Sequence, residues 1–274
     1  VSTYLFATDE SNAPRPDGFF YRCGLLAPED DWGRYFIPAW REAVIESSPK
    51  IPHLHMREIY NAAWCAKYGL TRLQADAKVT AAVDVLSTLG SVQVLGSRIS
   101  TGHTKQTMQE VQLVVAEGAV PVDREYPVFV LLNLGALVAA SHEPECTRVD
   151  TLVEENGVVT SILEQLHASA APALRKLGWS ESIPQLMGEF KRGGKKDIPL
   201  QAADVVCWFA QRADTGNMNA AQRRHNDRIA KLRGFRLPFA TENTEAMKAR
   251  AAGLIDPLAW SPDERLIANS AQKV

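Results

Sequence analysis

Strand-type and helix-type patterns follow one another here in an order that leaves few folds open. Tyr4 to Thr8 is a short β-type run and Phe19 to Leu26 is a second. The turn signal Pro14-Arg15-Pro16-Asp17-Gly18 lies between them, so the two read as an antiparallel hairpin. From Trp32 to Glu46, apolar residues recur at Trp32, Tyr35, Phe36, Ala39, Trp40, Ala43 and Val44, the spacing of an amphipathic helix that Pro38 bends or delays. Ile51 to Ile59 begins as an extended loop, and Leu73 to Leu89 is a helix stopped by Gly90. Val92 to Ile99 is a third strand, followed by a polar loop from Ser100 to Gln109. Next come an apolar helix from Tyr126 to Ser141, a fourth strand from Arg148 to Val153, and a helix from Val158 to Leu177 with a break at Pro172. A fifth strand, Leu186 to Phe190, leads through the basic loop Lys191 to Lys196 into a helix from Leu200 to Arg212. From Asn219 a polar, basic stretch reads as helical to about Leu232. This order predicts an α/β fold, a mixed sheet flanked by helices with a helical insertion between strands two and three. Residues 1–213 form the core domain on this reading, with the insertion at about 28–90, and 214–274 form a C-terminal helical extension.

A chain of 274 residues can bury a core of useful size. Its net charge of -2 and pI of about 6.4 give no whole-chain bias toward polyanions, so local charge decides. Cys23, Cys65, Cys146 and Cys207 form no C-x-x-C pair and read as reduced, mostly buried thiols, and the absent ligand spacing argues against a structural zinc site. The longest apolar run, Val128 to Ala140, is shorter than the ~20 residues that span a bilayer. With no leader pattern at its start, the chain reads as cytoplasmic and free of membrane.

Three acidic positions stand out. Asp9-Glu10 closes the first strand, where a sheet rim admits ligands; it can equally serve as a turn or cap. Glu154-Glu155 follows the fourth strand, with Asp150 on the same strand. Alternation puts Asp150 and Glu154 on one face and Glu155 on the other. Asp204 lies in the apolar segment Leu200-Gln201-Ala202-Ala203-Asp204-Val205-Val206, with Gln201 on its face. A carboxylate in such surroundings must reach solvent or be neutralised, by a metal or by an arginine such as Arg212. Converging at one rim, these acids would suit Mg2+ or Mn2+, which take several hard oxygen ligands and serve phosphoryl displacement.

His53-Leu54-His55 with Glu58 reads first as a packed loop; as a functional site, His55 would contact a phosphate or carry a proton, and Glu58 would be a further acid. Lys191, Arg192, Lys195 and Lys196 precede the Asp204 helix and Arg212 follows it. They suit phosphate-backbone binding, or else a solvated loop and helix face.

In order, Asp9-Glu10-Ser11, His55-Met56-Arg57-Glu58-Ile59 and Leu200-Gln201-Ala202-Ala203-Asp204 resemble the motifs of domain-of-unknown-function family 3800. The resemblance runs from about Tyr4 to Arg212, although Asn12 stands where the family usually has glycine. It implies a ribonuclease H-like fold, with Asp9, Glu154 and Asp204 as metal ligands and Ser11 and Gln201 as supporting residues; Asp150, Glu154 and Glu155 compete for the middle position. The expected function is a divalent-metal-dependent nuclease or related phosphodiester hydrolase acting on RNA or DNA. The first alternative is a non-catalytic sensor or partner subunit, with a protein partner or homo-oligomer. The second is a hydrolase of a small phosphorylated molecule, which needs a closed, partly apolar pocket.

Overall fold

Alternating side chains make the β-type runs two-faced, and each face needs a helical cover. In a computed structural model that describes residues 2–12, 19–88, 90–100, 125–176 and 179–237, both faces are covered. Strands β1 (Ser2–Asn12), β2 (Phe19–Pro28) and β3 (Gln93–Ser100) form an antiparallel meander. Strands β4 (Cys146–Glu154) and β5 (Met187–Gly193) extend it in parallel from β1. A sixth strand, β6 (Arg233–Leu237), pairs in parallel with β3, giving the order β5-β4-β1-β2-β3-β6. This is a mixed sheet flanked by helices, as the order of elements predicts. All strands but β2 run the same way, so five carboxyl ends line one rim.

The insertion between β2 and β3 is helical, as expected. Helix α1 covers 29–46, with π-helical turns at Trp32–Phe36 and Arg41–Glu46 on either side of Ile37–Trp40. Pro38 has no N–H to donate to the preceding turn, and the helix continues through it beside a widened turn instead of starting late. Two short helices, α2 (Met56–Ile59) and α3 (Ala62–Lys67), then lead to α4 (Arg72–Thr88). Lys78 on α4 donates to Val44 O, Ser47 O and Ser47 Oγ, satisfying carbonyls at the end of α1.

Helices α5 (Glu125–Ala140) and α6 (Gly157–Lys176) lie on one face of the sheet. Along α5 from Val128 to Ala140, every residue but Asn133 is buried within the chain. Pro172 does not break α6: it and Ala168, whose carbonyl it leaves without a partner, are both exposed, so water can take that carbonyl. Helix α7 (Ile198–Thr215) crosses β1 and β2 on the other face, joined by α1, α4 and α8 (Ala220–Ile229). Gly216 closes α7 in the left-handed conformation, with φ of 67°. Among the described residues no helix is long and apolar enough to cross a membrane.

Two further expectations are corrected. Lys191, Arg192 and Gly193 belong to β5 and not to a loop, because ladder pairing with β4 continues to Glu154–Gly193. The segment after α8 contributes β6, its Phe235 in register with Leu95, where only helix was expected. The turn at 13–18, most of the polar loop after Ser100 and the tail beyond Leu237 lie outside the described residues.

Candidate active site

Odd-numbered residues of β1 face α7: Leu5 and Ala7 share a core with Ala202, Val205 and Val206. Asp9 follows on that face at 6% exposure, and Asp204 stands on α7 at 9%. Helix α7 is apolar there because it is buried around its whole circumference from Ile198 to Ala210. Asp204 Oδ2 accepts the Met56 N–H at 2.6 Å, and Asp9 Oδ1 accepts the Glu10 N–H at 2.9 Å. Among the described residues neither carboxylate has a salt bridge to lysine or arginine. Burial, then the charge of Asp204, pushes Asp9 well above its ordinary value. Burial also raises Asp204, opposed by His55 and the Met56 N–H. Arg212 does not neutralise Asp204: it lies over the Trp208 ring at 4.3 Å and donates to Asn217 O.

The three candidates around the fourth strand separate by their partners. Asp150 is clamped by Arg148 at 2.6 and 2.9 Å, by Lys191 at 2.9 Å and by the Glu189 N–H at 2.8 Å. A side chain on Gly188 would land on that carboxylate. Burial would raise Asp150, but these donors hold it at about 2. Asp150→Asn is therefore expected to destabilise the protein by roughly 2 kcal/mol at pH 7. The depressed value means the contribution is complete above the ordinary 3.8 and is lost as pH falls through about 2. Denaturant midpoints of the wild type and the variant should thus differ at pH 7, and the gap should shrink to roughly a third at pH 2.5; a gap independent of pH would point to packing alone.

Glu155 is exposed and paired with Arg192 at 3.1 Å. Glu154 is half-buried on the face of Leu152, one position beyond the Thr8–Val153 register pair and hence beside Asp9. Its charge raises both Asp9 and Asp204. Among the described residues its carboxylate has no ion-pair partner. The structure thus couples Asp9 to Asp204, sets Glu154 at the rim of that pair and draws Asp150 and Glu155 into ion pairs. Glu10 faces the opposite side, bonded to fully buried Arg22 at 2.7 Å, with Arg22 over the Phe129 ring. The Ser11 side chain lies outside the described residues.

Helix α7 also holds the insertion. Gln201 Oε1 accepts from the Leu54 N–H at 2.9 Å and the Trp40 Nε1–H at 3.1 Å, and its Nε2 donates to Lys195 O at 3.0 Å. With the Met56 bond to Asp204, this fixes residues 54–56 across α7 and places His55 near Asp204. His55 Nδ1 is buried without a hydrogen-bond partner. His53 and Lys195 bond opposite oxygens of Glu58 at 2.6 and 2.7 Å. Burial would raise Glu58, but these two bonds lower it. Beneath the acids lie the free, buried thiols of Cys23, in register with Asp9, and Cys207, one turn past Asp204. Burial, then a hydrogen bond with Cys23, pushes Cys207 well up.

The basic residues are mostly engaged within the fold. Lys191 bridges Glu29 and Asp150, Arg192 pairs with Glu155 and Glu164, and Lys195 pairs with Glu58. Lys196 is exposed. Sequence reasoning missed Arg57, Trp64 and Lys67, which the insertion brings beside His55 and Lys195. Trp64 and Lys67, three apart in Ala62–Lys67, carried the available signal of an aromatic and a cation on one short helix.

Among the described residues no three His, Cys, Asp or Glu side chains stand close enough to enclose a metal ion. The buried pair is the nucleus of the site and Glu154 lies at its rim. No protein-family model matches the chain, and no curated protein matches it. A chain in the structure of the PCNA:RNase HII complex from Archaeoglobus fulgidus is similar over 96% of this chain and 95% of its own, at 11% identity and a TM-score of 0.34. A likeness at that level carries no argument, so the functional reading rests on the geometry.

Proposed function

We propose that Asp9 and Asp204, completed by Glu154, hold Mg2+ or Mn2+, and that the protein is a nuclease or related phosphodiester hydrolase acting on nucleic acid. One observation carries the reading: two buried carboxylates share the carboxyl-end rim of the sheet with no lysine or arginine salt bridge among the described residues. Unpaired buried charge is costly, and hard oxygen donors fit a hard divalent cation. Such ions, when bound, supply Lewis-acid stabilisation of the attacking and leaving oxygens. Asp9 and Asp204 provide fixed anionic donors, and Glu154 can close toward them from the rim. His55, beside Asp204, would hold or move a proton at Nδ1. Lys195 and Lys196, on the turn into α7, would position the phosphate backbone.

The reading includes membership of family 3800. Two of its three motif segments are bonded, Met56 to Asp204, and Asp9 of the first lies beside Asp204 of the third. The test is calorimetric titration of Mn2+ together with cleavage of labelled RNA and DNA, for wild type, Asp9→Asn and Asp204→Asn. Asparagine at 204 can keep accepting the Met56 N–H. Metal affinity and cleavage should both fall by more than about a hundredfold in each variant, since loss of a mere support to a ligand costs about 10–100-fold. Wild type that neither binds metal nor cleaves, even with nucleic acid present, would favour a non-catalytic binding or partner subunit.

A further inference from the structure

Beside the carboxylates, the helical insertion and the turn from β5 to α7 line a cavity of about 600 Å³. His55, Arg57, Glu58, Trp64, Lys67 and Lys195 line it. We propose that this cavity seats an unpaired nucleotide of the substrate strand, its base against Trp64 and its phosphates toward Arg57, Lys67 and Lys195, so that the substrate is single-stranded. The inference rests on the nucleic-acid reading of the neighbouring acids and adds strandedness and a base-binding surface to it.

Four features carry it. The volume lies in the range of pockets for small organic ligands, ~300–1,000 Å³, which suits one nucleotide unit. Trp64 is half-buried, and its ring neighbours His53 and Tyr68 meet it at 58° and 54°, so neither of them lies flat on it. Base–aromatic stacking needs a ring face of this kind and tolerates any base. Arg57 and Lys67 are exposed and have no acid partner among the described residues; Lys67 sits over the Tyr68 ring at 5.3 Å. Three cations therefore face one acid, Glu58, which Lys195 and His53 already engage. Finally, His55 lines the cavity and its charge acts on Asp204, so the cavity adjoins the buried acids.

A duplex keeps its bases stacked inside and cannot present a face to Trp64, whereas a single strand can splay one out. Asn61 also lines the cavity, but its side-chain oxygen caps α3 by accepting from the Ala63 and Trp64 N–H groups. Stacking and phosphate contact thus fall to the tryptophan and the cations.

The test is fluorescence anisotropy in chelator, so that cleavage does not intervene. The full chain is titrated into labelled 12-mers of oligothymidylate and oligouridylate and a 12-base-pair duplex. Either single strand should bind at least about tenfold more tightly than duplex. Trp64→Ala should weaken single-strand binding about tenfold, and Trp64→Phe, which retains a ring, by much less. Arg57→Ala with Lys67→Ala should flatten the salt dependence. Duplex bound as tightly as single strand, Trp64→Ala with unchanged affinity, equal losses for Trp64→Phe and Trp64→Ala, or no binding to any probe would each overturn the proposal. Its failure is distinguishable from that of the active-site reading. Metal-dependent cleavage lost in Asp9→Asn, with binding indifferent to Trp64, removes only this inference. Trp64-dependent binding without metal or cleavage removes only the other.

Discussion

In chelator at neutral pH, Asp9→Asn protein should unfold at a higher temperature than the wild type, although it has lost its metal site. Burial and Asp204 raise the Asp9 carboxyl well above 3.8, so the fold disfavours its ionised form. Between 3.8 and the raised value, the folded protein holds more protons than the unfolded chain. Stability therefore falls as pH climbs through that window, and it stays reduced above it. Asparagine has no charge to desolvate and keeps an oxygen for the Glu10 N–H. A gain on the order of 1 kcal/mol is typical when a functional residue that strains the fold is replaced. That corresponds to ~2–4 °C for a chain of this size. The advantage should shrink toward the ordinary 3.8 and vanish about a unit below it, where the wild-type carboxyl is protonated in both states. It should reverse in saturating Mn2+, because metal at a hundred times its dissociation constant stabilises only the wild type, by about 2.7 kcal/mol. Thermal melts with EDTA and with Mn2+ across about pH 2.5–8 measure all three effects. A variant that melts below the wild type in EDTA at neutral pH would show that the carboxylate is already paid for by contacts within the fold.

Gln201→Leu should be the most damaging change outside the carboxylates. Leucine fits the volume but leaves the Leu54 N–H and the Trp40 Nε1–H without an acceptor and Lys195 O without its donor. Each orphaned buried group costs ~1–3 kcal/mol, so a loss of about 3 kcal/mol is expected, or ~6–12 °C in melting temperature. The effect should concentrate in the insertion, since Gln201 joins α1, the 51–55 segment and the turn before α7. Hydrogen exchange at the Leu54 and Met56 amides should rise well beyond that in the body of the sheet. Mn2+ affinity should fall by about 10–100-fold, because Met56 steadies Asp204. Unchanged exchange at those two amides would mean that packing of Trp40 and Leu54 holds the insertion without Gln201.

Asp9 and Asp204 were legible in the sequence because each breaks a local rule: an acid closes an apolar strand, and another interrupts an apolar helix. The choice among Asp150, Glu154 and Glu155 was not legible. It depends on Arg148, Lys191 and Arg192, two of them on a different strand, and only tertiary pairing decides which carboxylates they occupy. The same cause hid the fate of the basic residues, whose partners Glu29, Glu58 and Glu164 lie far away in the chain. The order of strands was readable from alternation and turn signals. Strand β6 was masked by its arginines, although Phe235 and Leu237 keep the period of two. Gln201 stood beside Asp204 in plain view, but its partners are a main-chain N–H and an indole that no local pattern announces.

Strand polarity divides the molecule into a working end and a handling end. Asp9 and Glu154 sit where five strands finish; the turn before β4, with exposed Pro144 and Glu145, sits where they begin. Glu145 O accepts the Ser2 N–H, so the start of β1 is anchored at that same end. A fluorophore or surface tether attached through the Glu145 side chain would hold the protein with its acidic rim facing solution. Long substrates could then be presented to immobilised protein in one orientation, with the sheet itself as the spacer.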